Sequence, residues 1–273
     1  MAPSVASFAD LLRSAVSDPG ILSTAYRQFH AYSLGNQLLA WSQCLARGIQ
    51  PGPMATYPRW RELGRQVRKG EKAITLCMPV TIKRKPTDDK QVDAESEEGK
   101  PETFTRFVYR PHWFVLAQTE GQAVEPVPIP EWDQASALDA LGVVEEPFTL
   151  TDGNCQGYAR QRTIAVSPLA ELPHKTRFHE LAHVVLGHTA ESAGGLTDSD
   201  VTPRSLREVE AEAVALVCLE VLGLPGAEHC RGYIQHWNQR RGAEPIPERS
   251  AQRIFKAADQ ILKVGTTDTT VLA

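Results

Sequence analysis

Apolar side chains recur at three- and four-residue spacings over residues 7–17 (SFADLLRSAVS) and 24–46 (TAYRQFHAYSLGNQLLAWSQCLA). That period predicts two helices, with Ser7 and either Ser23 or Thr24 as N-caps. A short helix is expected over 58–64 (PRWRELG). The bias then turns to β-branched and aromatic residues in 73–83 (AITLCMPVTIK) and 103–118 (TFTRFVYRPHWFVLAQ), which reads as two strands. Between them, residues 86–102 hold seven acids and two lysines and almost nothing apolar, the composition of a flexible insertion. Prolines cluster in 123–132 (AVEPVPIPEW), a linker leading to a short helix over 133–141. Two strands around 148–168, a helix through 177–188, a second helix over 204–222 and a C-terminal helical part follow. The expected fold is α+β with two domains. Residues 1–122 place helices on a small antiparallel sheet, 123–140 form the linker and short helix, and 141–273 form the second domain.

Composition narrows the function classes. A length of 273 residues suits two modest cores, and 42% apolar with 23% charged residues is ordinary for a globular chain. A net charge of -4 excludes a general polycation, so any nucleic-acid site must be a local patch. Five scattered cysteines without a CxxC pair argue against a disulfide framework or a zinc ribbon and fit a reducing cytoplasm. The N-terminus has no signal-like apolar core, and no stretch reaches the roughly 18 apolar residues of a membrane span. A cytoplasmic protein without a membrane partner is therefore expected.

The chemistry is densest in RFHELAHVVLGH, residues 177–188. His179 and His183 are one helical turn apart and about 40° apart around the axis, so both imidazoles can face one metal ion. Glu180 lies beside them, placed to hold the water that such an ion polarises, which points to metal-assisted hydrolysis. His188 is about 140° from His183 on a helix and is expected to sit at the helix end without binding metal. On the next helix (LREVEAEAVALVCLEVLG), Glu208 and Glu212 share one face, while Glu210 points roughly 160° away. The apolar run from Ala213 to Leu219 predicts that this helix is buried, where paired carboxylates need a partner. The strand in ARQRTIAVSP (159–168) is expected to be the sheet edge on which a peptide substrate adds. In YIQHW, Tyr233 and His236 are candidate oxyanion stabilisers, or Tyr233 and Trp237 simply pack at i and i+4.

The N-terminal half carries a different signal. RWRELGRQVRKGEK (59–72) sets Arg59, Arg61, Arg65, Arg68, Lys69 and Lys72 against only Glu62 and Glu71. Planar guanidinium groups beside Trp60 and Tyr57 suit phosphate contact and base stacking on a single strand. Gly64 and Gly70 permit the turns that gather these side chains. Asn36 and Gln37, polar in an otherwise apolar helix, either touch nucleic acid or bridge within the domain.

Two resemblances gather these motifs. The acid pattern at Glu208, Ala211 and Glu212 after HExxH resembles the gluzincin metallopeptidases, which implies His179, His183 and Glu208 as metal ligands and Glu212 as the hydrogen-bond partner of a ligand histidine. AYSLGNQLLAW and TYPRWRELGRQVRKGEKAITLCMPV resemble the N-terminal domain of the ArdC family of antirestriction proteins. FHELAHVVLGH, LREVEAEAVALVC and YIQHW resemble that family's zincin-like C-terminal domain. The resemblance implies single-stranded DNA as partner, a zinc-dependent peptidase acting on a protein substrate, and protection of incoming plasmid DNA from restriction. Zinc is the first expectation, with manganese or another divalent ion also compatible with the donor set. The C-terminal half also resembles the ImmA and IrrE regulatory proteases. An alternative is a DNA-binding shield whose metal is purely structural.

Overall fold

The computed structural model describes residues 6–83, 103–125, 128–151, 153–189, 202–239 and 245–266; the acidic insertion at 86–102 lies outside them. The chain is α+β with small sheets, as the patterning predicts. Helices α1 (Phe8–Ser17), α2 (Ile21–Phe29) and α3 (Leu34–Arg47) come first. Strand β1 (Met54–Thr56), helix α4 (Tyr57–Glu62) and strand β2 (Arg65–Val67) follow. Strands β3 (Ile74–Lys83) and β4 (Thr103–Val115) pair as a long antiparallel ribbon, and β1 adds to the other side of β4. Strand β5 (Thr119–Gly121) pairs with β2.

The second half opens with α5 (Gln134–Leu141), and then β6 (Val144–Glu145), β7 (Gly157–Arg160) and β8 (Thr163–Val166) form a three-stranded sheet. Helices α6 (Pro173–Val185), α7 (Arg204–Leu222), α8 (Ala227–Gln239) and α9 (Glu248–Val264) complete the fold.

Two expectations are corrected. The segment 24–46 is not one helix: the chain leaves helical geometry between Phe29 and Leu34, and Ser33 is extended. Apolar spacing continues across this break, which is why periodicity missed it. The Tyr32 hydroxyl donates to the Met54 carbonyl at 2.6 Å, and the Gln37 amide donates to the Tyr32 carbonyl at 2.7 Å, so side chains hold the corner. The second correction concerns the sheet. Strand β8 lies in the middle, parallel to β6 and antiparallel to β7, so within ARQRTIAVSP the edge belongs to β7 and not to β8.

Helix α7 is the axis of the second half. Every residue from Val209 to Leu219 is buried, as for a helix surrounded on all sides. It packs against α6, α8 and α9, and also meets α2 from the first half. The buried core runs continuously from α1–α3 into α7–α9.

Carboxylates from the second half also cap helix N-termini of the first. Glu248 accepts from the Phe8 and Ala9 amides at 3.2 and 2.8 Å, Glu220 from the Gly20 and Leu22 amides at 2.6 and 3.2 Å, and Asp259 from the Leu34 amide at 3.2 Å. Each satisfies orphan N–H groups and faces the positive end of a helix dipole, a contribution of about 1 kcal/mol apiece.

Candidate metal centre

Helix α6 starts with Pro173 in its first turn and buries Phe178, Leu181, Ala182 and Val184. Phe178 packs on the Trp132 ring at 5.3 Å between centroids. Burial of that face turns His179 and His183 towards α7. There the nitrogens and oxygen converge: His179 Nε2 is 3.2 Å from His183 Nε2 and 3.4 Å from Glu208 Oε2, and His183 Nε2 is 3.6 Å from the same oxygen. The three ligand atoms all lie within 4.8 Å of one another, a spacing suited to one ion bridging the three side chains. Glu208 is the most open, its side chain 34% exposed, so one side of the triangle faces outward.

The electrostatics also suit a cation. Burial would lower the pKa of His179, but Glu208 and Glu212 outweigh it and raise it to about 9. Close approach of the His179 imidazole, and of His183 beside it, holds Glu208 well below the ordinary carboxylate range. The carboxylates that hold a proton on His179 would hold a divalent ion in its place, with release of that proton. The donor set and its spacing therefore fit the metal that the motif implies.

Behind the triangle, Glu212 Oε2 faces His179 Nδ1 at 3.8 Å, too long for a hydrogen bond, and neither atom has another partner among the described residues. The other Glu212 oxygen accepts from Lys175 Nζ at 2.7 Å. Burial pushes Glu212 up, yet His179 and Lys175 hold it down to about 2. Lys175 was not legible in the sequence, because nothing local marks a lysine one turn before His179 as the partner of an acid 37 residues on. Glu180 is buried, and burial raises its pKa against the opposing pull of His179 and His183. It lies against the edge strand: a Cβ added at Gly157 would sit 3.2 Å from Glu180 Cγ and 2.5 Å from Thr176 Cγ2, so glycine leaves the space beside the carboxylate. Tyr233 is on α8, one turn after Cys230, whose buried thiol neighbours Glu212 and Lys175.

The basic run does not form one continuous surface. Trp60 is 1% exposed and its indole N–H donates to the Phe114 carbonyl at 2.8 Å, so the expectation that it stacks bases is corrected: it is core. Asn36 bridges to the Cys77 backbone through both its amide atoms at 2.8 Å, and buried Gln37 bonds Tyr32, so both serve the fold. Arg65 is turned back onto Thr119 and Gln122 across the β2–β5 pair. Arg68 binds Glu71 and the Ala117 carbonyl, and Arg59 binds Glu62. Arg61, Lys69 and Lys72 are exposed. Gly64 and Gly70 do have positive φ, 70° and 91°, as the turns around this run require. The ribbon supplies further exposed rings, which no local motif marks. Phe107 is 67% and Tyr109 44% exposed on one face of β4, while Arg106 and Arg110 alternate onto the other.

Comparison with known proteins adds to this geometry. Residues 14–111 match the family model for the N-terminal domain of the anti-restriction factor ArdC. A relative from Sinorhizobium fredii strain NBRC 101917 / NGR234, the uncharacterized protein y4eC, is 27% identical over 256 residues, covering 86% of this chain and 76% of its own length. Two crystal structures of the antirestriction ArdC protein from plasmid R388, one metal-free and one bound to Mn(II), share the fold at 20% identity and a TM-score of 0.52. The alignments cover 94% of this chain in both cases and 94% and 96% of theirs.

Proposed function

We propose that this chain, whose residues 14–111 match the model of the ArdC N-terminal domain, acts in antirestriction, binding single-stranded DNA with its first half and carrying a metal-dependent peptidase site in its second. The observation that carries the peptidase reading is the convergence of His179, His183 and Glu208 within 4.8 Å, with buried Glu180 beside them. A divalent ion held there would act as a Lewis acid towards a water molecule and a peptide carbonyl. Two imidazoles and a carboxylate suit zinc and also accept manganese; the R388 protein holds Mn(II) in one of its structures. Glu180 then takes the proton of the attacking water and passes it to the leaving amine. Strand β7, an edge strand of its sheet among the described residues, lies beside Glu180 and is where an extended peptide would pair. Tyr233 remains the candidate donor to the oxyanion. No helix among the described residues is long and apolar enough to cross a membrane.

The metal reading is tested by titrating purified protein with Zn(II) and Mn(II), wild type beside His183→Ala. One ion per chain is expected for wild type, with affinity lower by at least about 100-fold in the variant, the upper end of what even outer-shell partners contribute. Equal affinity would mean that the ion sits elsewhere.

For DNA, exposed Arg61, Lys69 and Lys72 offer the phosphate contacts, and Phe107 and Tyr109 the stacking surface that Trp60 cannot provide. Binding to a single strand should weaken with salt, and neutralising the three cations together should flatten that salt dependence by about 0.7 log units per lost contact. Phe107→Ala with Tyr109→Ala should cost about tenfold or more in affinity, the range of one lost base stack. Affinity indifferent to salt and to both sets of changes would defeat this surface.

A further inference from the structure

Behind His183 lies a second buried cluster that takes no part in the ligand triangle. His188 Nδ1 is 3.0 Å from His183 Nδ1, and His188 Nε2 is 2.9 Å from Glu210 Oε2. Arg253 Nη1 is 3.6 Å from the same oxygen, and Arg253 is itself fixed by donating to the Leu186 carbonyl at 2.8 Å. The side chains of His188 and Glu210 are 2% and 0% exposed. Three segments meet here: the turn after α6, the far face of α7 and α9.

We propose that His188 and Glu210, backed by Arg253, are positioning residues that keep the hydrogen of His183 on Nδ1 and so present its Nε2, lone pair free, to a divalent ion. The argument is one of donors and acceptors. Arg253 and Glu210 already form an oppositely charged pair, so a neutral His188 leaves the buried cluster without net charge, which is the low-cost arrangement away from water. Glu210, ionised, only accepts, so the hydrogen of His188 sits on Nε2 and its Nδ1 is an acceptor. The group facing that Nδ1 is Nδ1 of His183, which must then donate. A neutral His183 with its hydrogen on Nδ1 has a bare Nε2, and Nε2 is the atom that points at His179 and Glu208. Run the chain the other way and an N–H would project into the triangle, and that hydrogen would have to move before an ion could bind.

The inference also explains the geometry of α7. Glu208 and Glu212 face His179 on one side of the helix, and Glu210, on the opposite side, reaches the other ligand histidine through His188. Both ligand histidines thus have an acid from the same helix behind them. In metalloproteins, hydrogen-bonding a ligand imidazole through its second nitrogen fixes the tautomer and the ring orientation.

The proposal builds on the metal reading, but its first test needs no ion. Long-range nitrogen–proton NMR correlations on metal-free protein should show His183 as the Nδ1–H tautomer. In His188→Leu that preference should be lost, and Zn(II) affinity should fall by about 10- to 100-fold. His188→Gln, whose amide can accept from His183 and donate to Glu210, should restore both towards wild type. A purely structural role would lower the melting temperature of His188→Leu and leave the tautomer of His183 and the affinity of folded protein unchanged. An Nε2–H tautomer in the wild type, or a folded His188→Leu that binds Zn(II) as tightly as wild type, overturns the proposal. If His188→Leu does not fold, the wild-type tautomer and the His188→Gln titration decide it. A wild type that binds no divalent ion defeats the metal reading instead, and the tautomer still decides this one.

Discussion

Glu180→Gln should leave ion binding intact and reduce peptide hydrolysis by about 10²- to 10⁴-fold, the usual contribution of a positioned general base. The substitution keeps the shape of a buried side chain that lies outside the ligand triangle, so the ion should titrate as in wild type. What it removes is the capacity to accept a proton. Because burial raises the pKa of Glu180, its carboxyl in the metal-free protein should titrate above the ordinary carboxylate range, which carboxyl-carbon NMR would show. Measured side by side, ion content, cleavage of a protein substrate and protection of DNA in cells separate the alternatives. Loss of cleavage with full protection would make the chain a DNA shield that carries a peptidase site it does not need for that task. Undiminished cleavage would assign the base to another residue.

Arg231→Leu should destabilise the whole chain by about 3–5 kcal/mol, the range for breaking one side of a buried ion pair. Arg231 Nη2 lies 2.5 Å from Glu220 Oε2, and its Nη1 donates to the Ala15 and Val16 carbonyls near the C-terminus of α1. Glu220 in turn caps the start of α2. One ion pair between α7 and α8 therefore holds the end of one N-terminal helix and the beginning of the next. Without the guanidinium, Glu220 is a buried charge whose remaining partners among the described residues are the Gly20 and Leu22 amides. Urea denaturation followed by circular dichroism and by tryptophan fluorescence should shift together, because the halves share a core. Arg231→Leu with Glu220→Leu should recover part of the loss, since it removes the stranded charge. A shift below about 1 kcal/mol, within the range of an exposed pair, would show that this contact does not join the halves.

Some of this was legible in the chain and some was not, and the division follows the range of the interactions. The HExxH helix could be read because Phe178, Leu181 and Ala182 give it a buried face, and a helical period fixes how His179 and His183 stand relative to that face. The burial of α7 could be read from its unbroken apolar run, and its two opposed acid faces from the same period. The corner at His30–Ser33 could not, because the apolar pattern runs through it and the bonds that hold it come from Met54 and Gln37. Nor could the fate of Trp60, whose sequence neighbours are arginines while its spatial neighbour is the Phe114 carbonyl.

The sequence by itself determined the α+β class, most elements, and the angular order of His179, His183, Glu208, Glu210 and Glu212 on their helices, because backbone periodicity fixes angles within one element. Only the tertiary structure decided which of those faces meet. It set Glu208 against both histidines, Glu210 against His188, Lys175 against Glu212, β8 in the middle of its sheet, and three carboxylates of the second half on the helix ends of the first. Such distances between elements come from how buried surfaces fit together, and no spacing along the chain encodes them.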